Sequence, residues 1–112
     1  MGQYCHYLAG RQSTNKPASV FTATDSVHGG QETTLLTMML PLIHHGMMIV
    51  GISYGEPAIN RTNRGGTPYG VSHISSAAHD QPISADELEL AIAPDRRLAI
   101  SAKALAQADW SR

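Results

Sequence analysis

A chain of 112 residues with 15% charged residues and a formal net charge of -1 has room for one small hydrophobic core and not for a second domain. No segment concentrates Lys or Arg, so the electrostatic footprint of a nucleic-acid or anionic-membrane binder is missing. The single cysteine, Cys5, excludes an internal disulfide framework and fits a reducing, cytoplasmic setting.

The first residues, Met1 to His6, have neither the basic start nor the apolar core of a secretory signal. The polar run from Gly10 to Pro17 reads as loop. Ala18 to Thr24 is short, rich in β-branched and aromatic residues, and bounded by Pro17 and Asp25, which predicts a strand. Asp25 to Gly30 follows as a turn-like loop. From Gln31 the apolar residues Leu35, Leu36, Met38, Met39, Leu42 and Ile43 recur at helical spacing, predicting a helix that ends near His45. Glu32 suits its dipole, Gly46 suits a left-handed stop, and Pro41 predicts a bend.

Met47 to Ser53 is a second apolar run, read as a strand buried on both faces. Strand, helix and strand in this order make a βαβ unit with parallel strands and a right-handed connection. The apolar span from Leu35 to Ile52 is interrupted by Pro41, His44, His45 and Gly46, which argues against a membrane span. Tyr54 to Pro82 is read as a long irregular section and a candidate functional loop. Ser84-Ala85-Asp86-Glu87 is a capping box that starts a helix, which Pro94 is expected to split.

The sharpest candidate site is the loop after Thr24. In an open parallel sheet, ligands bind outside the carboxyl ends of the strands. Small residues there let a planar ring approach the backbone, and Thr24, Ser26 and the Gly29 amide can bond ring carbonyls and nitrogens. An ordinary strand-to-helix turn fits the same pattern equally well. Gly65 to Gly70 is followed by Val71 where a phosphate-binding loop needs Lys, no GxSxG nucleophile elbow is present, and the histidines lack metal-ligand spacing. No metal is expected. His44 stands at the far end of the helix that leaves the Thr24 loop. It therefore reads either as a capping residue or as a group serving a neighbouring subunit. Tyr54 is expected just past the second strand, on the same edge as the Thr24 loop, as a ring-packing or merely amphipathic residue.

Four segments, Pro17-Ala18-Ser19-Val20-Phe21-Thr22, His28-Gly29-Gly30-Gln31-Glu32-Thr33-Thr34, His44-His45-Gly46-Met47 and Gly65-Gly66-Thr67-Pro68-Tyr69-Gly70, stand in the order and at about the spacing of a known family. They resemble successive signatures of the WrbA-type, or type IV, NAD(P)H:quinone oxidoreductases. The resemblance implies an α/β, flavodoxin-like parallel sheet of order 2-1-3-4-5. Residues 1–112 would form its C-terminal part, an incomplete sheet of the fourth and fifth strands with their helices. It implies FMN across the strand ends, with Ala23, Thr24, Asp25, Ser26, Val27, His28 and Gly29 at the isoalloxazine, His44 at the flavin, and Tyr54 beside the substrate. It implies NADH or NADPH as donor, a quinone as acceptor, tetrameric assembly, and no side chain acting as nucleophile. The family's phosphate-binding segment would lie outside these residues, and Cys5 stands where the family has a pocket tryptophan. A truncated, non-catalytic remnant that associates with full-length subunits is the alternative.

Overall fold

The computed structural model describes residues 12–111, so Cys5 lies outside the described residues. The chain forms β1 (Pro17–Ala18), β2 (Phe21–Thr24), α1 (Gln31–His44), β3 (Met48–Ile49), α2 (Ala58–Arg61), β4 (Val71–Ile74) and α3 (Ala85–Ala106). The architecture is α/β, and both strand pairs are parallel, as a crossover through a helix requires.

The segment from Pro17 to Thr24 is one extended stretch with two successive neighbours. Its first half pairs with β3, Pro17 beside Met48 and Ala18 beside Ile49. Its second half pairs with β4, from Phe21 beside Val71 to Thr24 beside Ile74. Val50 donates its N–H to the Ala18 carbonyl at 2.8 Å and Ser75 donates to the Thr24 carbonyl at 2.9 Å. Both acceptors are even-numbered, and the backbone polar groups of alternate residues point to the same side of a strand. The two neighbours therefore share one side of 17–24. They form a single row interrupted where the chain leaves at Ser53 and returns at Gly70, with Ile52 donating to the Pro68 carbonyl at 3.0 Å across the gap.

This corrects the reading of Tyr54 to Pro82 as irregular. The section contains α2 and the whole of β4. The signal was weak because Val71-Ser72-His73-Ile74 is short and contains two polar residues, and because the preceding glycine-rich run reads as turn. Conversely, only Met48–Ile49 of the expected second strand is in ladder, although Val50 and Ile52 are buried.

Residue parity assigns the two helices to opposite faces of the sheet. Val20 and Ile49 pack with Leu35, Met39 and Leu42 of α1. Val71 packs with Ile52, Ala58, Ile59 and Leu90, so α3 and α2 cover the other face. α1 ends in a Schellman motif, with Gly46 at φ 80, Gly46 donating to the Ile43 carbonyl at 2.9 Å and Met47 to the Leu42 carbonyl at 3.1 Å. The helix runs through Pro41.

α3 is not split. It continues through Pro94 for 22 residues. A proline inside a helix removes one backbone bond at a cost of about 3 kcal/mol. Here Pro94 is buried and Leu90, one turn earlier, is fully buried, so packing against the sheet and α2 offsets that cost.

On the side of 17–24 away from β3 and β4, the backbone groups of Ser19, Phe21 and Ala23 meet no strand among the described residues. The Phe21 side chain, on the face it shares with Val71, is 74% exposed, because α3 covers β4 and leaves Phe21 open.

Candidate functional site

β2 and β4 end together, so the loops that leave them, 25–30 and 75–81, share one carboxyl edge. Ser75 joins them: its N–H donates to the Thr24 carbonyl at 2.9 Å, and its hydroxyl lies 3.4 Å from an oxygen of Asp25. His79 Nδ1 stands 3.4 Å from the same Asp25 oxygen and 3.4 Å from the Ser75 hydroxyl. Both contacts fall on one imidazole nitrogen. The three residues therefore cannot relay a proton as a hydrolytic triad, which uses opposite nitrogens. Ser76 at φ 69 and His79 at φ 55 are left-handed, and the Gln81 N–H closes this second loop onto the Ser75 carbonyl at 3.0 Å.

The first loop folds on itself. Thr24 donates its hydroxyl to the Ser26 carbonyl at 2.9 Å, and the Gly29 N–H donates to the same oxygen at 3.1 Å. Two of the three donors expected from sequence to face a ring are thus engaged within the loop, because a tight turn needs its own donors to close. Gly29 is needed for space instead: a Cβ on it would sit 2.6 Å from the Thr24 Cβ. The groups left open are the Ser26 hydroxyl and the N–H groups of Ser26, Val27 and His28, which have no acceptor among the described residues. Ala23, Asp25, Ser26, Val27 and His28 are all exposed, so the loop presents an open, mostly small-residue surface.

The other two sequence-predicted residues are not brought to this edge. α1 begins beside the loop and carries His44 at its far end, about 20 Å away at 1.5 Å per residue. His44 is exposed, and its ring meets His45 edge to face at 5.1 Å between centroids. Tyr54 follows β3, which pairs with β1, whereas the strand ending beside Thr24 is β4. It is 65% exposed. The shared edge expected for Tyr54 and Thr24 does not form within the chain, because the chain leaves the row at Ser53, before that edge is reached.

Sequence reasoning missed Glu87 except as a capping residue. It does form the capping box with Ser84, accepting the Ser84 N–H at 2.7 Å while the Ser84 hydroxyl accepts from the Glu87 N–H at 3.1 Å. It also accepts the N–H groups of Gly65 at 2.9 Å and Ile74 at 3.0 Å, and its second oxygen lies 3.1 Å from His73 Nδ1. Burial alone pushes this carboxyl up. The backbone donors of Ser84, Ile74 and Gly65, with His73, outweigh burial and hold the pKa at about 2. A capping box is visible in sequence, but contacts 13 and 22 residues away are not.

A cleft of about 730 Å³ lies at the opposite end, between residues 14–17 and the last turns of α3. Leu98, Leu105 and Trp110 make it mainly apolar. A cleft of about 470 Å³ adjoins the candidate loop, bounded by Val27 and His28, the first turn of α1, and Arg64, Gly66 and Thr67. Among the described residues, no three of His, Cys, Asp and Glu come together as metal ligands, and no helix is long and apolar enough to cross a membrane.

A comparison with curated proteins gives the chain relatives. Over 93 residues, 81% of this chain, it is 41% identical to a protein of Methanosarcina acetivorans named NAD(P)H dehydrogenase (quinone). Proteins of the same name from Methanosarcina barkeri, 42% identical over 80% of the chain, and Chromohalobacter salexigens, 41% over 81%, are similarly close. The chain is homologous to NAD(P)H dehydrogenases (quinone). It spans 44% of the length of the two Methanosarcina relatives and 46% of the Chromohalobacter one, matching a C-terminal-like region. No family model matches the chain.

Proposed function

We propose that this chain is the C-terminal part of a flavodoxin-like domain of the WrbA type, serving an FMN-dependent NAD(P)H:quinone oxidoreductase of the cytoplasm that assembles as a tetramer. The observation that carries the reading is the shared carboxyl edge of β2 and β4 with its open loop, in a chain 41% identical to proteins named NAD(P)H dehydrogenase (quinone). Ligands of open parallel sheets sit at such an edge.

The loop fits the ring of a flavin. It offers the Ser26 hydroxyl and three N–H groups without acceptors among the described residues, whereas its own residues include no Lys or Arg for a phosphate. When bound, FMN would accept a hydride from NADH or NADPH and pass it to the quinone. Ala23 to Gly29 would bond and orient the polar edge of the ring. Gly29 keeps the loop folded tightly on Thr24, and Ser75 fixes the loop against its neighbour. His44, far from this edge within its own chain, would serve the flavin of an adjacent subunit. Tyr54 would flank the substrate across such an interface. No residue of this chain is needed as a nucleophile.

A second reading has its own support. Among the described residues no strand pairs with the far side of 17–24, which, with exposed Phe21, favours a non-catalytic chain that associates with full-length subunits.

Titration with lumiflavin, the ring without its phosphate, followed by amide chemical shifts, tests the ring site directly. Shifts confined to residues 23–29 and 75–80, at millimolar ligand, are expected. Tight stoichiometric binding of FMN by the chain alone would refute an external phosphate segment, and unshifted 23–29 amides at saturating lumiflavin would sink the ring site.

A further inference from the structure

The polar edge of an isoalloxazine ring is a cyclic imide, in which two carbonyl acceptors flank one N–H donor. A loop that meets this edge has to offer donors on either side of an acceptor. The donors are at hand, since the N–H groups of Ser26, Val27 and His28 have no acceptor among the described residues. Three of the loop's carbonyls are already taken: Thr24 accepts from the Ser75 N–H, Ser26 from Thr24 and Gly29, and Val27 from Gln31 Nε2 at 2.9 Å.

Asp25 heads the same loop, and its side chain is 59% exposed. Its Oδ1 has two neighbours from the 75–81 loop, the Ser75 hydroxyl and His79 Nδ1, each at 3.4 Å. Both contacts are long for hydrogen bonds, so they steer the carboxylate and leave most of its capacity as an acceptor unspent. Oδ2 has no hydrogen-bond partner among the described residues. The second loop is shaped to bring His79 there. Ser76 and His79 both hold left-handed backbone, which is costly for residues with a Cβ, and the His79 N–H closes the turn on the Ser76 carbonyl at 3.0 Å. An imidazole beside a carboxylate keeps a proton on the near nitrogen, which fixes the face that the carboxylate turns outward.

We infer that Asp25, steered by His79 of the second loop, accepts the imide N–H of the ring while the N–H groups of residues 26–28 donate to the flanking carbonyls. The inference rests on the flavin reading above and adds to it the residue that selects the ligand. Asp25 determines specificity for a ring with a free imide N–H. His79 is a positioning residue that acts through Asp25. A hydrogen bond to an ionised acceptor is roughly twice as strong as a neutral one. A ring alkylated at the imide nitrogen has no proton to give and sets a methyl group against the carboxylate, so it loses the bond and also strips water from a charge.

Parallel titrations of the whole chain with lumiflavin and with 3-methyllumiflavin, followed by the amide shifts of residues 23–29, test the inference. The wild-type chain should bind lumiflavin about tenfold more tightly than the methylated ring. Asp25→Ala should bring the two affinities to within about twofold of each other, chiefly by weakening lumiflavin. Asp25→Asn keeps a neutral acceptor and should retain a preference of about threefold. His79→Ala should lower the preference about threefold as well, whereas a merely structural role would weaken both rings alike and leave the ratio unchanged. Equal wild-type affinities for the two rings, or an undiminished preference in Asp25→Ala, overturn the inference. Rings that bind equally at residues 23–29 leave the flavin reading standing and remove Asp25 from it, whereas no shift with either ring removes both.

Discussion

Gly65 donates its backbone N–H to Glu87 at 2.9 Å, so the carboxylate that caps α3 also ties down the excursion that interrupts the sheet. The same carboxylate reaches Ile74 at the end of β4. One side chain joins a helix start, a strand end and a loop.

Removing that carboxylate should cost more than a helix cap. Glu87→Ala leaves three backbone N–H groups without their acceptor and is expected to destabilise the chain by about 2–4 kcal/mol, read from urea midpoints at pH 7. With a folded pKa of about 2 against an ordinary value of 4.5, the ionised group stabilises the fold fully above pH 4.5. That contribution is lost as pH falls through 2. Wild-type midpoints should therefore drop across this interval, and Glu87→Gln should flatten the drop.

Gly65→Ala is expected to be nearly as damaging for a different reason. A Cβ at this position would lie 2.0 Å from the Ser72 carbonyl oxygen, a backbone atom with no freedom to move aside. Either the Glu87 bond or the β2–β4 ladder must give way, at about 2–3 kcal/mol. Loss of amide protection at residues 71–74 would identify the ladder as the part that yields.

Gly29→Ala should separate binding from stability. The added methyl meets the Thr24 Cβ at 2.6 Å in an exposed loop, so the loop opens while the core stays intact. A thermal midpoint within about 2 °C of wild type, with at least fivefold weaker lumiflavin binding, is the expected outcome. Unchanged binding would remove Gly29 from the site.

How much of this was legible in the sequence differs by element. α1 was readable at both ends, because Gly46 and the apolar spacing of Leu35, Met39 and Leu42 are local signals. The start of α3 was readable from Ser84 and Glu87, but its passage through Pro94 was not, since burial of Pro94 and Leu90 is a tertiary fact. β4 escaped because its partner, Phe21 for Val71, lies far away in the chain. At the candidate site the location was legible and the hydrogen bonding was not. The Ser26 carbonyl collects the Thr24 and Gly29 donors only once the turn has closed.

Phe21→Lys tests the open side of the sheet. Phe21 is 74% exposed, so replacing it should alter stability by no more than about 0.5 kcal/mol. Lysine on an edge strand discourages strand-to-strand association. Sedimentation should show less self-association than wild type, and an unchanged mass distribution would mean that association proceeds through another surface.

The interrupted row opposite 17–24 also has a kinetic meaning. Closing Pro17 onto Met48 encloses a shorter loop than closing Phe21 onto Val71, and longer closures cost more entropy. The two ladders are thus unequal in closure cost: the amino-terminal one encloses α1 alone, whereas the one at the candidate edge also encloses the excursion and is tied to Glu87 of α3. Hydrogen exchange should find the β2–β4 edge opening before the β1–β3 ladder, and a molecule bound at that edge would then stabilise the part of the sheet that opens first.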